Sequence, residues 1–458
     1  MTRLNDAALA GLPASVRRPA YDRNALKPGI VHLGIGAFHR AHQCVFTEDA
    51  IAKAGSNWGI IGASLQRPDV PDALTAQDCL YTVETLDHAA AYRVMGVMKA
   101  ALFAPRDAAV LKNAMAAATT HAVTLTLSEK GYCLDAGGGL DLAHPEIAAD
   151  LAAPQSPRSA IGWLALGLEE RRRTGSGPVT IISCDNLQSN GAKLEAAVRR
   201  FADIAFPQLG KWMDVHTTFP LTLVDCIVPA ASGDHRDRVA AALGLEDGAS
   251  VQREPFAQWV IQNRFAAALP AWGEVGAQIV EDVDSYQRIK LHVLNTAHSA
   301  LAYLGLPRGH VFVRQAIADP DLRGFLDAMM AQEIAPALAP LDVATYWKTV
   351  VARFENPMID HRLAQIAEDG SLKLPQRLFP MLLDNARQGK PIAAMARVVQ
   401  AWLALMATSP SRDPANSWFA QWAAAGADHA SALDNPTLFP DTFRKDTRLR
   451  AALLTDGP

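Results

Sequence analysis

Ile30-Val-His-Leu33 runs directly into Gly34-Ile-Gly36-Ala37-Phe38-His39-Arg40. The first four residues have the apolar, β-branched character of a buried strand, and the two glycines that follow mark a tight turn into a helix. A strand, a Gly-x-Gly turn and a helix in that order let backbone N–H groups approach a pyrophosphate at the helix N-terminus, where the dipole favours negative charge. Gly34, Gly36, Ala37, Phe38 and His39 are therefore candidate cofactor contacts, on a helix expected to end near Gly55. The fingerprint is incomplete, because His39 stands where a third glycine completes Gly-x-Gly-x-x-Gly.

Outward from this turn, short β-rich runs alternate with helical stretches: Trp58-Gly-Ile-Ile61, His121-Ala-Val-Thr-Leu-Thr-Leu127 and Val179-Thr-Ile-Ile-Ser183. Such alternation implies a parallel sheet with helices on both faces, so residues 1–280 read as an α/β, Rossmann-like dinucleotide-binding domain. Near residue 280 the texture changes. From Tyr286 onward the pattern is helical almost throughout, as in Leu322 to Met330 and Ala394 to Met406, with Pro320, Pro340, Pro375 and Pro410 as punctuation. Residues 281–458 read as a mostly α-helical domain for substrate and catalysis.

Composition removes several function classes. A chain of 458 residues is long enough for two or three domains with sizeable cores. Its 43 basic and 47 acidic side chains give a formal net charge of −4, and no basic run is interleaved with aromatics, which argues against nucleic-acid binding. No apolar stretch approaches the ~18 residues of a membrane span, and Met1-Thr-Arg-Leu-Asn-Asp6 lacks the apolar core of a signal peptide. A cytoplasmic protein with no membrane partner is expected, as monomer or dimer. Cys44, Cys79, Cys133, Cys184 and Cys226 are odd in number and lack a Cys-x-x-Cys pair, so reduced, mostly buried thiols are expected.

Open α/β sheets bind ligands at the carboxyl ends of their strands. After the second strand, Asp69 offers a carboxylate for the 2′-hydroxyl of NAD, and Arg67 a guanidinium for the 2′-phosphate of NADP. Ser128-Glu129-Lys130-Gly131 follows another strand and would place Glu129 and Lys130 over the cofactor. Ser183-Cys-Asp185-Asn186 supplies an amide at a strand end, and Phe219 to Pro229 presents Asp225 within an apolar run. Each segment alone reads equally well as a polar turn.

In the helical half, Lys290-Leu-His-Val-Leu-Asn295-Thr-Ala-His298 carries an amine, an amide and an imidazole. At ~100° per residue, Lys290, Asn295 and His298 share roughly a 140° arc of one helix and can converge on a small molecule. An amphipathic core helix with its polar residues in solvent is the simpler reading. A lysine among Leu291, Val293 and Leu294 is partly desolvated, which lowers its pKa and suits it as a general base. The amide can donate to a developing alkoxide, and the imidazole can orient a hydroxyl.

These blocks together resemble the mannitol dehydrogenase family of long-chain, zinc-independent polyol dehydrogenases and uronate reductases. They occur in order as Gly34 to His42, Glu129 to Cys133, Ser183 to Asn186, Val224-Asp225 to Pro229, Lys290 to His298, and Asp369-Gly-Ser-Leu-Lys373. The resemblance implies NAD or NADP as cofactor, no metal, Lys290 as general base, and Asn186 with Asn295 as oxyanion hole. It implies that His298 and Asp225 hold substrate hydroxyls and that Lys373 binds substrate. Cys226 and Gln365 stand where the family often has arginine, which removes two bidentate anchors. Glu129-Lys130-Gly131 resembles the uronate reductase version, with Lys130 as a partner for a carboxylate. The expected substrate pair is D-mannonate and D-fructuronate, with D-mannitol and D-fructose, or another polyol such as arabinitol or sorbitol, as the alternative. His32, His39 and His42 lie on the glycine turn and its helix, so no zinc site is expected. A zinc-dependent alcohol dehydrogenase and a non-catalytic dinucleotide-binding regulator are the rival classes.

Overall fold

The computed structural model describes residues 2–408 and 413–455, which leaves Pro410 outside the described residues. The chain divides into two units, Met1–Val283 and Asp284–Pro458. The first is built on a six-stranded, all-parallel sheet whose spatial order is Met98–Phe103, Trp58–Ser64, Lys27–Leu33, Ala122–Leu125, Val179–Ser183, Thr217–Thr218. Numbered along the chain, that order is 3-2-1-4-5-6, the doubly wound Rossmann arrangement. It reverses direction between Lys27–Leu33 and Ala122–Leu125, paired from Ile30 with Ala122 to Leu33 with Leu125. The inner strands are mostly apolar because helices cover both faces; Val179–Ser183 and Ala122–Leu125 are buried along their whole length.

Two smaller sheets in this unit escape the sequence pattern. One joins Val16–Arg17, Ala91–Met95, Tyr81–Thr85 and Val251–Arg253; the other joins Thr222–Asp225, Gln258–Gln262 and Gln278–Val280. The helix expected to run unbroken to Gly55 is interrupted. It forms as Ala37–Ala41 and Gln43–Ala54, with His42 at the break and Gly55 closing it in the left-handed region. His42 is buried, its Nε2 3.0 Å from the Gln258 carbonyl and its ring stacked on Phe38, which fixes the bend.

The second unit is helical from Asp284–Ile289 to Thr447–Leu454. Its core gathers Val293, Ala297 and Leu301 with Trp402, Phe419 and Phe439, and Thr296–Gly305 packs against Ala393–Thr408. Pro320 opens Pro320–Met329, capped by Asp319. Pro375, by contrast, does not end a helix. It lies inside Gly370–Arg377, which continues one short stretch beyond it because proline forfeits only its own N–H bond there. No helix among the described residues is long and apolar enough to cross a membrane.

Candidate active site

At the switch point of the sheet, Gly34 has a backbone that only glycine fits. Its φ is +99°, and a Cβ would stand 2.0 Å from the carbonyl oxygen of Thr126. That close approach lets Gly34 follow Lys27–Leu33 while Thr126-Leu127-Ser128 follows Ala122–Leu125. Beneath the turn, His32 Nδ1 lies 2.7 Å from Thr124 Oγ1 and its Nε2 2.8 Å from Thr126 Oγ1. Burial depresses the His32 pKa to about 3, so the ring is a neutral brace. His39 stacks on it at 3.3 Å between ring centroids and is itself fully buried. Only the His39 backbone remains for a cofactor; the side chain belongs to the core.

Above the turn lies a cavity of about 470 Å³, lined by Gly34, Gly36, Ser64, Arg67, Asp69, Thr126, Ser128, Glu146 and Arg158 among others. Gly36 carries no side-chain cap for the helix that follows. A mouth at the carboxyl ends of parallel strands, a glycine-only wall and an uncapped helix start all fit a dinucleotide. Asp69 opens Asp69–Thr75 and pairs with Arg67 at 2.5 Å, both exposed at the rim. Glu129 and Lys130 form an exposed turn. A second cavity of about 480 Å³, at Arg23, Asp78, Lys99 and Arg106, reaches none of these strand ends.

The neighbouring strand ends are cross-braced. Half-buried Asp185 accepts from the Leu127 backbone N–H at 2.8 Å and from the Tyr132 hydroxyl at 2.7 Å; desolvation raises its pKa despite these donors. Asn190 Nδ2 donates to the Asp185 carbonyl and to both oxygens of Thr222, while Thr222 N–H donates back to Asn190 Oδ1. Asn186, exposed just past Val179–Ser183, directly follows the braced Asp185, and Asp225, 8% exposed, ends the strand Thr222–Asp225 that Asn190 ties down.

In the helical unit the single-helix geometry expected of Lys290 to His298 does not hold. Lys290–Asn295 is a π-helical stretch between Asp284–Ile289 and Thr296–Gly305, with i→i+5 bonding that shifts the phase of one flank against the other. Arg377 stitches the stretch down. Its carbonyl accepts from His292 Nδ1 at 2.8 Å and from the Thr296 hydroxyl at 3.1 Å, and its Nη1 donates to the Asn295 carbonyl and Ser299 Oγ. Lys290 is 9% exposed. His298 stacks on Phe354 at 4.5 Å and meets the edge of His361 at 5.0 Å. Burial holds His298 well below its usual pKa, and the charges of His361, Arg353, Arg377 and Lys290 add to that. Among the described residues, its shielded Nε2 has no hydrogen-bond partner, and neither has Nδ1 of His361.

The two units correspond to two family models: residues 28–274 match the mannitol dehydrogenase Rossmann domain and residues 282–416 the mannitol dehydrogenase C-terminal domain. The chain belongs to the mannitol dehydrogenase family. It is 41% identical over 397 residues to a D-mannonate oxidoreductase of Escherichia coli (strain K12), covering 85% of this chain and 82% of that one. It is 39% identical to a mannitol 2-dehydrogenase of Cereibacter sphaeroides, covering 82% and 80%. In structure it resembles the ternary complex of Pseudomonas fluorescens mannitol 2-dehydrogenase with NAD and D-mannitol, with a TM-score of 0.84, 33% identity, and coverage of 99% and 96%. A substrate-free D-sorbitol dehydrogenase gives a TM-score of 0.93 at 29% identity, covering 99% and 97%. This family member is therefore an oxidoreductase on a Rossmann-type dinucleotide-binding fold.

The remaining residues fall into place unevenly. Lys373 turns back on its own unit, its Nζ donating to the carbonyls of Ile366 and Glu368, which leaves one of an ammonium's three donors for anything else. Burial and the charge of Arg377 lower its pKa. Gln365 lies in Leu363–Ile366, and half-buried Cys226 directly follows Asp225. No two of the five cysteines form a disulfide. Cys133, His144 and Glu146 bring metal-type donors within 4.8 Å of one another. There the His144 Nδ1 caps its own helix by accepting the Glu146 N–H, and burial pushes the Cys133 thiol up to about 11. Neither Arg377 nor His361 stood out in the sequence, although Arg377 follows Lys373 by four residues on one helix face.

Proposed function

We propose that this chain is an NAD-dependent oxidoreductase that interconverts D-mannonate and D-fructuronate. The observation that carries the substrate class is the setting of His298: a desolvated imidazole surrounded by His361, Arg353, Arg377 and Lys290, which favours an anionic guest over a neutral one. The similarity to a D-mannonate oxidoreductase agrees with it.

A nicotinamide cofactor supplies the hydride acceptor for the alcohol or the hydride donor for the ketone. Gly34, Gly36 and the backbone of Ala37, Phe38 and His39 would hold its pyrophosphate, and Asp69 its ribose. Glu129 and Lys130 are proposed beside it, with Lys130 also toward the substrate carboxylate. Lys290 takes the hydroxyl proton at Nζ and returns it in reduction. Asn186 and Asn295 donate to the oxygen as it gains charge, and neutral His298 and Asp225 orient neighbouring hydroxyls. Lys373 adds its remaining donor. NAD is favoured because Arg67 is already paired with Asp69, and because the Pseudomonas fluorescens relative was solved with NAD. An exposed pair of this kind contributes only about 0–1 kcal/mol, so Arg67→Ala should change the NAD-to-NADP preference by less than about tenfold. A wild-type preference for NADP that this substitution reverses would transfer the decision to Arg67.

The test is a spectrophotometric screen of D-fructuronate, D-fructose, D-mannonate, D-mannitol and D-arabinitol with each cofactor. D-fructuronate should be reduced with the highest kcat/KM. Efficient D-fructose reduction with no D-fructuronate turnover would replace this reading by mannitol 2-dehydrogenase, which the D-mannitol complex of a relative supports. Turnover of a pentitol alone would leave only the family assignment.

A further inference from the structure

Arg377 ends Gly370–Arg377, half-buried, against Asn295 and Ser299. Its hydrogen bonds use Nη1 alone. Among the described residues, Nε and Nη2 have no partner, and no carboxylate pairs with the guanidinium. Among the described residues, the neutral His298 imidazole and the Lys373 ammonium lie closest to it electrostatically, and the one neighbour that favours its charge is the Tyr303 phenol. Tyr303 is fully buried and its own hydroxyl lacks a partner. A half-buried guanidinium without a counter-ion is disfavoured, and burial already pulls its pKa down. The unengaged Nε–Nη2 edge is the side of the fork that matches the two oxygens of a carboxylate.

We infer that Arg377 is the anchor for the substrate carboxylate, gripping it through Nε and Nη2 beside Asn295. The inference deepens the sugar-acid reading and rests on it for the identity of the guest. It also accounts for the loss of arginine at Cys226 and Gln365, because the anionic end is held from another helix. Two carboxylate oxygens fill the free edge, whereas Nη1 stays on the Asn295 carbonyl and keeps the π-helical stretch in place. Lys373, its ammonium turned to carbonyl oxygens, contributes field more than contact.

Calorimetric titration of the full chain, loaded with NADH so that neither alcohol can react, with D-mannonate and with D-mannitol isolates the carboxylate, since the two guests share their carbon chain. Wild type should bind D-mannonate more tightly, and Arg377→Gln should shrink the ratio of the two dissociation constants by roughly 10- to 100-fold, the loss expected for a charge-assisted contact. Arg377→Lys, which keeps the charge without the fork, should recover part of the ratio; it also serves if the glutamine variant fails to fold. An unchanged ratio in a folded variant overturns the anchor, as does tighter binding of mannitol 1-phosphate than of D-mannonate. Should wild type reduce D-fructuronate while the variants discriminate as well as it does, the anchor falls and the substrate reading stands. If Arg377 controls D-mannonate binding but D-fructuronate is not turned over, the reading falls and the anchor stands.

Discussion

Each unit holds a pair of packed histidines, fully buried in the sheet unit and half-buried in the helical one, and the pairs differ in how completely they are satisfied. In the sheet unit, His32 and His39 stack face to face; both nitrogens of His32 are engaged by Thr124, Thr126 and the Gly34 carbonyl, while His39 Nε2 meets Cys44 Sγ and its Nδ1 has no partner among the described residues. In the helical unit, His298 meets His361 edge-on, and His298 Nε2 and His361 Nδ1 have no partner among the described residues. Buried polar atoms are normally paired, so a fully engaged ring such as His32 points to architecture and an open one such as His298 to a guest. Identical side chains in the two places should therefore fail in different ways when changed.

The largest effect expected falls beside the open pair. Lys290→Ala should lower kcat by about 10²–10⁴-fold, the range for a general base, while cofactor affinity measured by fluorescence titration stays near wild type. Near wild-type turnover at neutral pH would remove the proposed base. Asn295→Ala and Asn186→Ala should each cost about 10²–10³-fold in kcat if both donate to the developing oxyanion. Parallel losses of stability in urea would make the two amides structural instead.

Exchanging the histidines tests the comparison directly. His32→Ala leaves the Thr124 and Thr126 hydroxyls buried and unpaired and opens a void, so urea denaturation should show a loss of about 2–4 kcal/mol. His298→Ala should cost less stability and more turnover. If the order is reversed, the distinction between the engaged and the open imidazole fails. The smallest effect is on pH. Burial puts the folded pKa of His32 at about 3 and holds His39, His292, His298 and His361 below the usual value as well. The unfolded chain, titrating near the ordinary value of about 6.5, binds protons first, so stability is full above that pH and declines as pH falls toward 3. Urea midpoints that hold steady between pH 6.5 and 4 would contradict the buried neutral state.

The parallel sheet and the change to helices were legible because both depend on local signals: buried strands read as apolar runs, and Gly34 marks a turn that a Cβ would block. The smaller sheets were not. Val251–Arg253 is three residues long and finds its partner at Tyr81–Thr85, a pairing that no local pattern carries. The catalytic-looking trio at Lys290, Asn295 and His298 was visible as residue types, but their arrangement was read from a regular α-helix that the π-helical stretch replaces. Arg377 and His361 were missed for a related reason. What sets them apart is the lack of a partner, a property of three-dimensional surroundings rather than of spacing, and Asp185 likewise shows its role only through the groups it braces.

A π turn holds one residue more than the α turn it replaces. Its presence makes the span from Lys290 to Asn295 sensitive to length as well as to composition. Removing any one residue from the middle of that span would restore a single helical phase and swing Lys290 by about 100° away from its present bearing on Thr296–Gly305. The imidazole of His298 would keep its seat on Phe354 while the amine left its side. Among all substitutions and deletions in this helix, a shortening by one could thus separate two functional groups without altering either of them.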